Sequence, residues 1–250
     1  LLVVFTIQLY LDFSGYTDIS IGVAALLGYD IKPNFVAPFT ASSLSDYWHR
    51  WHKSLSSWLS DYIFTPLQFS MRRLGVYASA IAAIITLAIS GVWHGTTPNY
   101  LVWGLLWGIL MAVGTITAKE RRKLRKKVPK FISKSFAWLF TMAIVIFSNI
   151  FIRLSNFAAI QNIFRSFIFI PSSYTNPIAL GSKFYLFLVC SILVVIISHL
   201  RELHPEKVAN FIIKTPFPLR WIATFFMFFA IIIFGVFEND IVGGFIYAQY

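Results

Sequence analysis

The sequence predicts an all-α protein, a polytopic transmembrane helical bundle with interfacial amphipathic helices, and three observations predict it. Of the 250 residues 58% are hydrophobic and only 12% charged, where a soluble domain carries about 25% charged residues. At a mean hydropathy of +0.71, apolar side chains outnumber what one core of this length can bury, so much of the surface must face lipid. Five runs, 76–93, 96–118, 135–152, 184–200 and 221–237, contain no Asp, Glu, Lys or Arg, and each approaches the ~20 residues a helix needs to cross a bilayer. The charge, finally, is concentrated: of a net +11, the stretch 119–134 alone supplies +8. Such a cluster between two apolar runs reads as a cytoplasmic loop.

That placement sets an alternation. The run 76–93 leads outward, with Arg72 and Arg73 before it on the inner side, and 96–118, 135–152, 184–200 and 221–237 follow in turn. The stretch 154–182 becomes an external connection, and 157–170 within it, short and interrupted by Arg165, is expected to lie along the interface. The basic stretch has no interleaved aromatics of the kind that stack bases, so no nucleic-acid partner is expected, and the lipid bilayer with its anionic headgroups is. A lone Cys190 inside an apolar run gives neither a disulfide framework nor a cysteine metal site. No Met precedes Leu1; residues 1–250 are expected to form a single membrane-embedded domain that is the later part of a longer chain.

Two segments depart from simple spans. Residues 1–29 are largely apolar but interrupted by DFSGYTD, which predicts two short helices or one broken around Gly15, a form that lines cavities at membrane depth. In 44–62, Leu44, Tyr47, Trp48, Trp51, Leu55, Trp58, Leu59 and Tyr62 follow helical spacing, with His49, His52, Lys53, Ser56 and Ser60 opposite. This predicts one amphipathic helix near the cytoplasmic surface, opened by a capping box of Ser43 and Asp46 and closed at Pro66.

His94 is the sharpest candidate for chemistry, because it ends an apolar run two residues before the next begins. A titratable imidazole there either performs a function or caps backbone in a tight hairpin. His49 and His52, three residues apart, could face one substrate together; as a metal site they fall short of the three or four ligands zinc wants, and no metal is expected. Arg50 and Lys53 suit an anionic group, whether on a substrate or a lipid headgroup. Asp12 and Asp18 are carboxylates within an apolar segment, placed to orient a His, bind a cation or cap a helix break. There is no phosphate-binding or dinucleotide glycine motif, no nucleophile elbow and no paired-carboxylate cluster.

Three blocks carry a family resemblance: YLDFSGYTDI at 10–19 with Ile21 and Gly22, RWHKSLSSWLSDY at 50–62, and ISGVWHG at 89–95 with Asn99, Trp103 and Gly104. They resemble the membrane-bound O-acyltransferase family, in the bacterial branch that O-acetylates alginate or transfers D-alanine to teichoic acid. FIR at 151–153 and FIYAQY at 245–250 are similar to further family blocks, so the resemblance runs across most of the chain in order, as the C-terminal half of such a fold. It differs at Trp107-Gly108, where alginate-type members often carry a His, and at 65–73, where a Gly-rich turn is usual. These departures bear on the acceptor and leave the reaction type alone.

The resemblance implies an enzyme that transfers an acyl group, acetyl being the expected one, from a cytoplasmic thioester such as acetyl-CoA to a hydroxyl on an extracytoplasmic cell-envelope or exopolysaccharide acceptor. It makes His94 the catalytic histidine and His52 the second family histidine. Asn99 then stands as a polar neighbour able to steady an oxyanion, and Arg50, Trp93, Asp12 and Asp18 as substrate-binding candidates. No cofactor is held permanently, a bacterial inner membrane is the expected location, and an extracytoplasmic acyltransferase is a possible partner protein. Two alternatives stay open: acylation of a lipid or protein by the same fold, and a proton-coupled transporter built on Asp12, Asp18 and the His-bearing hairpin.

Overall fold

The computed structural model describes residues 2–154, 157–168 and 182–234, and every regular element among them is helical. The first, α1 (Leu2–Leu26), is unbroken, where the sequence predicted a break around Gly15. Its polar side chains need no break, because their hydroxyls bond back within the helix. Thr6 Oγ1 donates to the Leu2 carbonyl, Thr17 Oγ1 to Phe13 and Ser20 Oγ to Tyr16, each at 2.9 Å. A Cβ built on Gly15 would meet nothing within 4 Å, so the glycine marks neither a turn nor a close approach.

The amphipathic stretch folds differently from the single helix expected. The N-cap half of the capping box forms, with Asp46 N–H donating to Ser43 Oγ at 3.1 Å, and Asp46 Oδ2 accepts from Ser42 N–H, one residue before the cap, at 3.3 Å. But α2 (Leu44–Arg50) stops after two turns, and α3 (Lys53–Leu59) restarts beyond Trp51 and His52. His52 takes the left-handed conformation, φ 45° and ψ 55°. The helical path then passes one π turn, Ser60–Phe64, into α4 (Thr65–Ser70), so Pro66 sits in the first turn of a helix instead of ending one. Proline brings no N–H to the preceding turn, and the path there is the π turn, with Thr65 N–H on the Ser60 carbonyl.

The direction of that path also differs. Gln68 Nε2 donates to Ser79 Oγ at 2.6 Å, near the start of α5 (Val76–His94), while the His52 ring lies beside Trp93 at its end. Ser79 and Trp93 are about 21 Å apart at 1.5 Å per residue. Residues 53–70 therefore run antiparallel along α5, packed on it, and do not lie flat at one surface. Of the apolar stripe in this part Leu59 is buried, whereas Trp58 and Tyr62 stay exposed.

After a three-residue turn, α6 (Pro98–Ile116) returns against α5. Their backbones approach closely: a Cβ on Gly108 would lie 2.7 Å from Ile84 Cα, and one on Gly104 3.1 Å from Gly91 Cα. The basic stretch, expected as a loop, forms the short α7 (Ala118–Arg125) and the start of α8 (Lys130–Arg153). Lys and Arg are good helix formers, and their charged ends stay exposed. Beyond it lie α9 (Phe157–Ile168), α10 (Ser182–Leu203), α11 (Pro205–Lys214) and α12 (Phe217–Phe234).

Among the described residues four helices are long and apolar enough to cross a membrane: α5, α6, α8 and Tyr185–Leu203 within α10. The short apolar piece expected at 157–170 forms α9, and α12 covers the last expected span only in part: its apolar stretch, Phe217–Ala230, is shorter than a crossing needs, and residues 235–237 of that run, like the similarity at 245–250, lie outside the described residues. The core joins Leu9, Tyr10 and Phe13 of α1 to Tyr47 and Trp48 of α2, Trp103 and Trp107 of α6, and Val145 and Ile150 of α8. It is strongly aromatic. Trp107 stacks on Tyr47 at 5.7 Å and meets Trp48 edge-on at 5.2 Å, and such pairs contribute about 0.5–1.5 kcal/mol beyond the area they bury.

Candidate active site

Within this core a narrow cavity of about 20 Å³ is lined by His52, His94, Trp48, Trp103, Trp107 and Asn149 among others. His94 ends α5 and is 8% exposed, its ring edge-on to Trp103 (5.2 Å, 88°) and to Trp93 (4.8 Å, 71°). The α5–α6 turn places it there, since His94 and Trp103 face each other across adjoining helix ends.

His52 reaches the same cavity by a different route. Asn34 holds the backbone around it: Lys53 N–H donates to the Asn34 carbonyl at 2.9 Å, and Ser54 N–H and Oγ donate to Asn34 Oδ1 at 3.0 and 3.1 Å. These bonds offset a left-handed residue's strain of about 1–3 kcal/mol. The reversal swings the imidazole inward, edge-on to Phe13 at 4.7 Å, with Nδ1 3.4 Å from Asn34 Oδ1. Burial, with the His94 imidazole beside it, pushes His52 down to about 4, so the ring is neutral at physiological pH.

The other residues singled out in the sequence are distributed otherwise. Trp93 stands half-exposed beside both imidazoles. His49 is exposed, with Nδ1 2.6 Å from the Ser45 carbonyl, because the reversal at His52 turns the two histidines apart. Arg50 does not face the cavity: Nε donates to Asp46 at 2.6 Å, and Nη1 reaches the Val36 carbonyl and Thr40 Oγ1 at 3.3 Å, tying the 36–40 loop to α2. Asn99 is also elsewhere. Both its Nδ2 hydrogens are used, on the Phe151 carbonyl at 3.0 Å and the Leu154 carbonyl at 2.8 Å, so it closes the end of α8 and has no donor left for an oxyanion. Asp12 is exposed on α1, and Asp18 pairs with Arg201 of α10 at 2.7 Å. Neither carboxylate lines the cavity, and neither caps a break.

Sequence reasoning missed Asn34 and Asn149. Asn149 Nδ2 donates to Thr6 Oγ1 at 2.9 Å, joining α8 to α1 beside the cavity. A Ser148-Asn149 pair inside an apolar run was the available signal, since buried polar groups in such runs need a partner. Asn34 offered only its type, an amide in a loop after Pro33.

The family model of the membrane-bound O-acyltransferases matches residues 1–157, more than half of the chain. The chain belongs to that family. The matched part contains His52, His94 and the α8 residues of the cavity. Among curated relatives, the probable alginate O-acetylase of Pseudomonas putida is 39% identical over 100 residues, 40% of this chain and 20% of that protein. The teichoic acid D-alanyltransferase of Bacillus subtilis is 37% identical over 108 residues, 40% of this chain and 27% of that protein. The peptidoglycan O-acetyltransferase of Helicobacter pylori is 38% identical over 103 residues, 41% of this chain and 19% of that protein. The chain thus spans between a fifth and about a quarter of the length of the curated relatives it matches. Family membership and the four apolar helices make it an integral membrane protein.

Proposed function

We propose that this protein is an O-acyltransferase of the bacterial inner membrane, moving an acetyl or similar acyl group from a cytoplasmic thioester such as acetyl-CoA to a hydroxyl of a cell-envelope or extracellular polysaccharide. The observation that carries the reading is the meeting of His52 and His94 in one cavity within the family-matched part of the chain. The relatives named for acetyl or D-alanyl transfer onto alginate, peptidoglycan and teichoic acid support the acceptor class.

In this reading His94 is the general base. The acceptor oxygen attacks the thioester carbon as its proton passes to the imidazole, and the thiolate takes that proton when the C–S bond breaks. A partly buried, neutral His52 beside His94 leaves the base unopposed by a fixed positive charge. The placement of Asp12 and Asp18 on the outside of α1 gives no support to the transporter alternative. An extracytoplasmic partner that completes transfer to the polymer is part of the proposal.

The test is release of CoA thiol from acetyl-CoA by membranes carrying the full chain, with envelope polysaccharide present. His94→Ala should reduce release to background while leaving the amount of inserted protein unchanged. Equal release by the variant and the parent would refute the assignment of His94.

A further inference from the structure

Five buried side-chain polar atoms find no hydrogen-bond partner among the described residues: the indole Nε1 atoms of Trp48, Trp103 and Trp107, and the hydroxyls of Thr86 and Ser90. Trp48, Trp103 and Trp107 are all among the residues that line the one cavity that His52 and His94 share; Thr86 and Ser90 are not. An indole N–H can only donate, and leaving a buried donor unbonded costs about 1–3 kcal/mol. The rings are 9%, 5% and 2% exposed, so bulk water does not serve them. One such donor is tolerable in an aromatic core. Three around one cavity point to an acceptor that belongs there in the working protein.

The cavity limits what that acceptor is. A volume of about 20 Å³ holds one water-sized group, so it takes a single oxygen atom of whatever molecule reaches it. The donors are also firmly placed. Trp103 and Trp107 are one turn apart on α6 and so share a face, and Trp48 meets both edge-on, at 5.9 and 5.2 Å. Trp103 in turn meets the His94 ring at 5.2 Å and 88°, which puts a donor-bearing ring directly against the proposed base. Asn99, the sequence's candidate for this task, has both amide hydrogens on carbonyls of the α8 end.

We propose that Trp48, Trp103 and Trp107 form an indole-lined site for the acyl carbonyl oxygen, with their N–H groups donating to it most strongly when it carries negative charge. The inference rests on the acyltransferase reading. In the addition step the acceptor hydroxyl oxygen bonds to the thioester carbon, its proton moves to His94, and the C=O π pair moves onto the oxygen facing the indoles. In the collapse that pair returns, the C–S bond breaks, and the leaving sulfur takes the proton from His94. Neutral donors suit this cycle: the cavity then holds one oxyanion and one imidazolium, and no fixed cation remains to retain a product.

The experiment replaces Trp103 with benzothienylalanine, which keeps the ring's shape and exchanges the N–H for sulfur, in membranes carrying the full chain with acetyl-CoA as the probe. Loss of one preorganised oxyanion donor lowers turnover by about 10²-fold. The expected result is that fall in kcat, with the KM for acetyl-CoA within about threefold and thermal unfolding unchanged; Trp48 and Trp107 isosteres should lower kcat in the same sense. A Trp103 isostere that keeps the parent's kcat while the parent shows His94-dependent thiol release would refute the indole site and leave the acyltransferase reading standing. A parent that shows no His94-dependent release would instead bring down that reading, and this site with it. Should the isostere unfold early, the ¹³C=O stretch of bound acetyl-CoA in the parent decides: a shift to lower wavenumber than in detergent solution supports the site, and an unshifted band overturns it.

Discussion

Gly108→Ala adds a single methyl group, yet the structure gives it nowhere to go. Its Cβ would lie 2.7 Å from Ile84 Cα, 3.1 Å from the Ile84 carbonyl oxygen and 3.4 Å from the Ala83 carbonyl oxygen. Carbon atoms settle at about 3.5–4.0 Å, and all three neighbours are backbone with no rotamer to yield, so α6 must retreat from α5 by about 0.8 Å or more. Overpacking of this kind costs about 1–3 kcal/mol, against about 1 kcal/mol regained because alanine is the better helix former, leaving a net loss of up to about 2 kcal/mol. The shift falls beside Trp107, which is 2% exposed and lines the cavity, and a displacement of about 1 Å at a reacting site can cost about 10²-fold in rate. Gly114→Ala on the same helix is the matched control, because a Cβ there meets only the Arg121 side chain at 3.6 Å. Thioester turnover and thermal unfolding, measured on both variants in membranes, should show a slow, destabilised Gly108→Ala and a Gly114→Ala equal to the parent or slightly more stable. If the two variants behave alike, the close approach of α5 and α6 does not set the geometry of the cavity.

Asn99→Ala should act on stability and not on the chemical step. It removes the partner of the buried Phe151 carbonyl and of the part-buried Leu154 carbonyl, which predicts a loss of about 1–3 kcal/mol in chemical unfolding; a stable variant with kcat alone reduced would return Asn99 to the oxyanion role. His52 predicts an acid-side slope in stability. Its folded value of about 4 lies below the unfolded value of about 6.5, so between those pH values the unfolded chain holds a proton that the folded one does not. The contribution is intact above pH 6.5 and declines as the pH falls towards 4. Thermal unfolding of the parent should therefore weaken more steeply across that window than that of His52→Asn, whose side chain tolerates the left-handed backbone.

The helical class and most membrane-spanning segments were legible in the sequence, because hydrophobic length and the absence of charge are local properties. The ends of α5 and α8 agree with the expected runs to within a few residues. The N-cap bond from Asp46 N–H to Ser43 Oγ is a four-residue device and formed as its spacing predicts, while the carboxylate turned to Ser42 N–H instead of to that of Ser43. Reading failed where a local signal had two physical outcomes. Gly15 and its polar neighbours can break a helix or remain in one whose hydroxyls bond back to their own turn, and the latter holds. The stripe in 44–62 reads the same whether it faces a bilayer surface or another helix, so its course along α5 was not available. Asn34 lies 18 residues from His52, and no pattern of spacing links them.

For the site itself, the sequence determined the chemistry on offer: His94 at the end of an apolar run, and a short list of polar residues that hydrocarbon would not tolerate without partners. Only the tertiary structure decided which of them meet. It joined His52 to His94 through a left-handed reversal held by Asn34. It removed Asn99, Arg50, Asp12 and Asp18 from the cavity by giving them positions or partners elsewhere. It also gathered three indole donors that sequence periodicity classes only as apolar core. The reason is physical: burial and periodicity are set by neighbours along one helix, whereas a hydrogen bond or a shared cavity is set by the few ångströms between helices that the chain brings together from far apart.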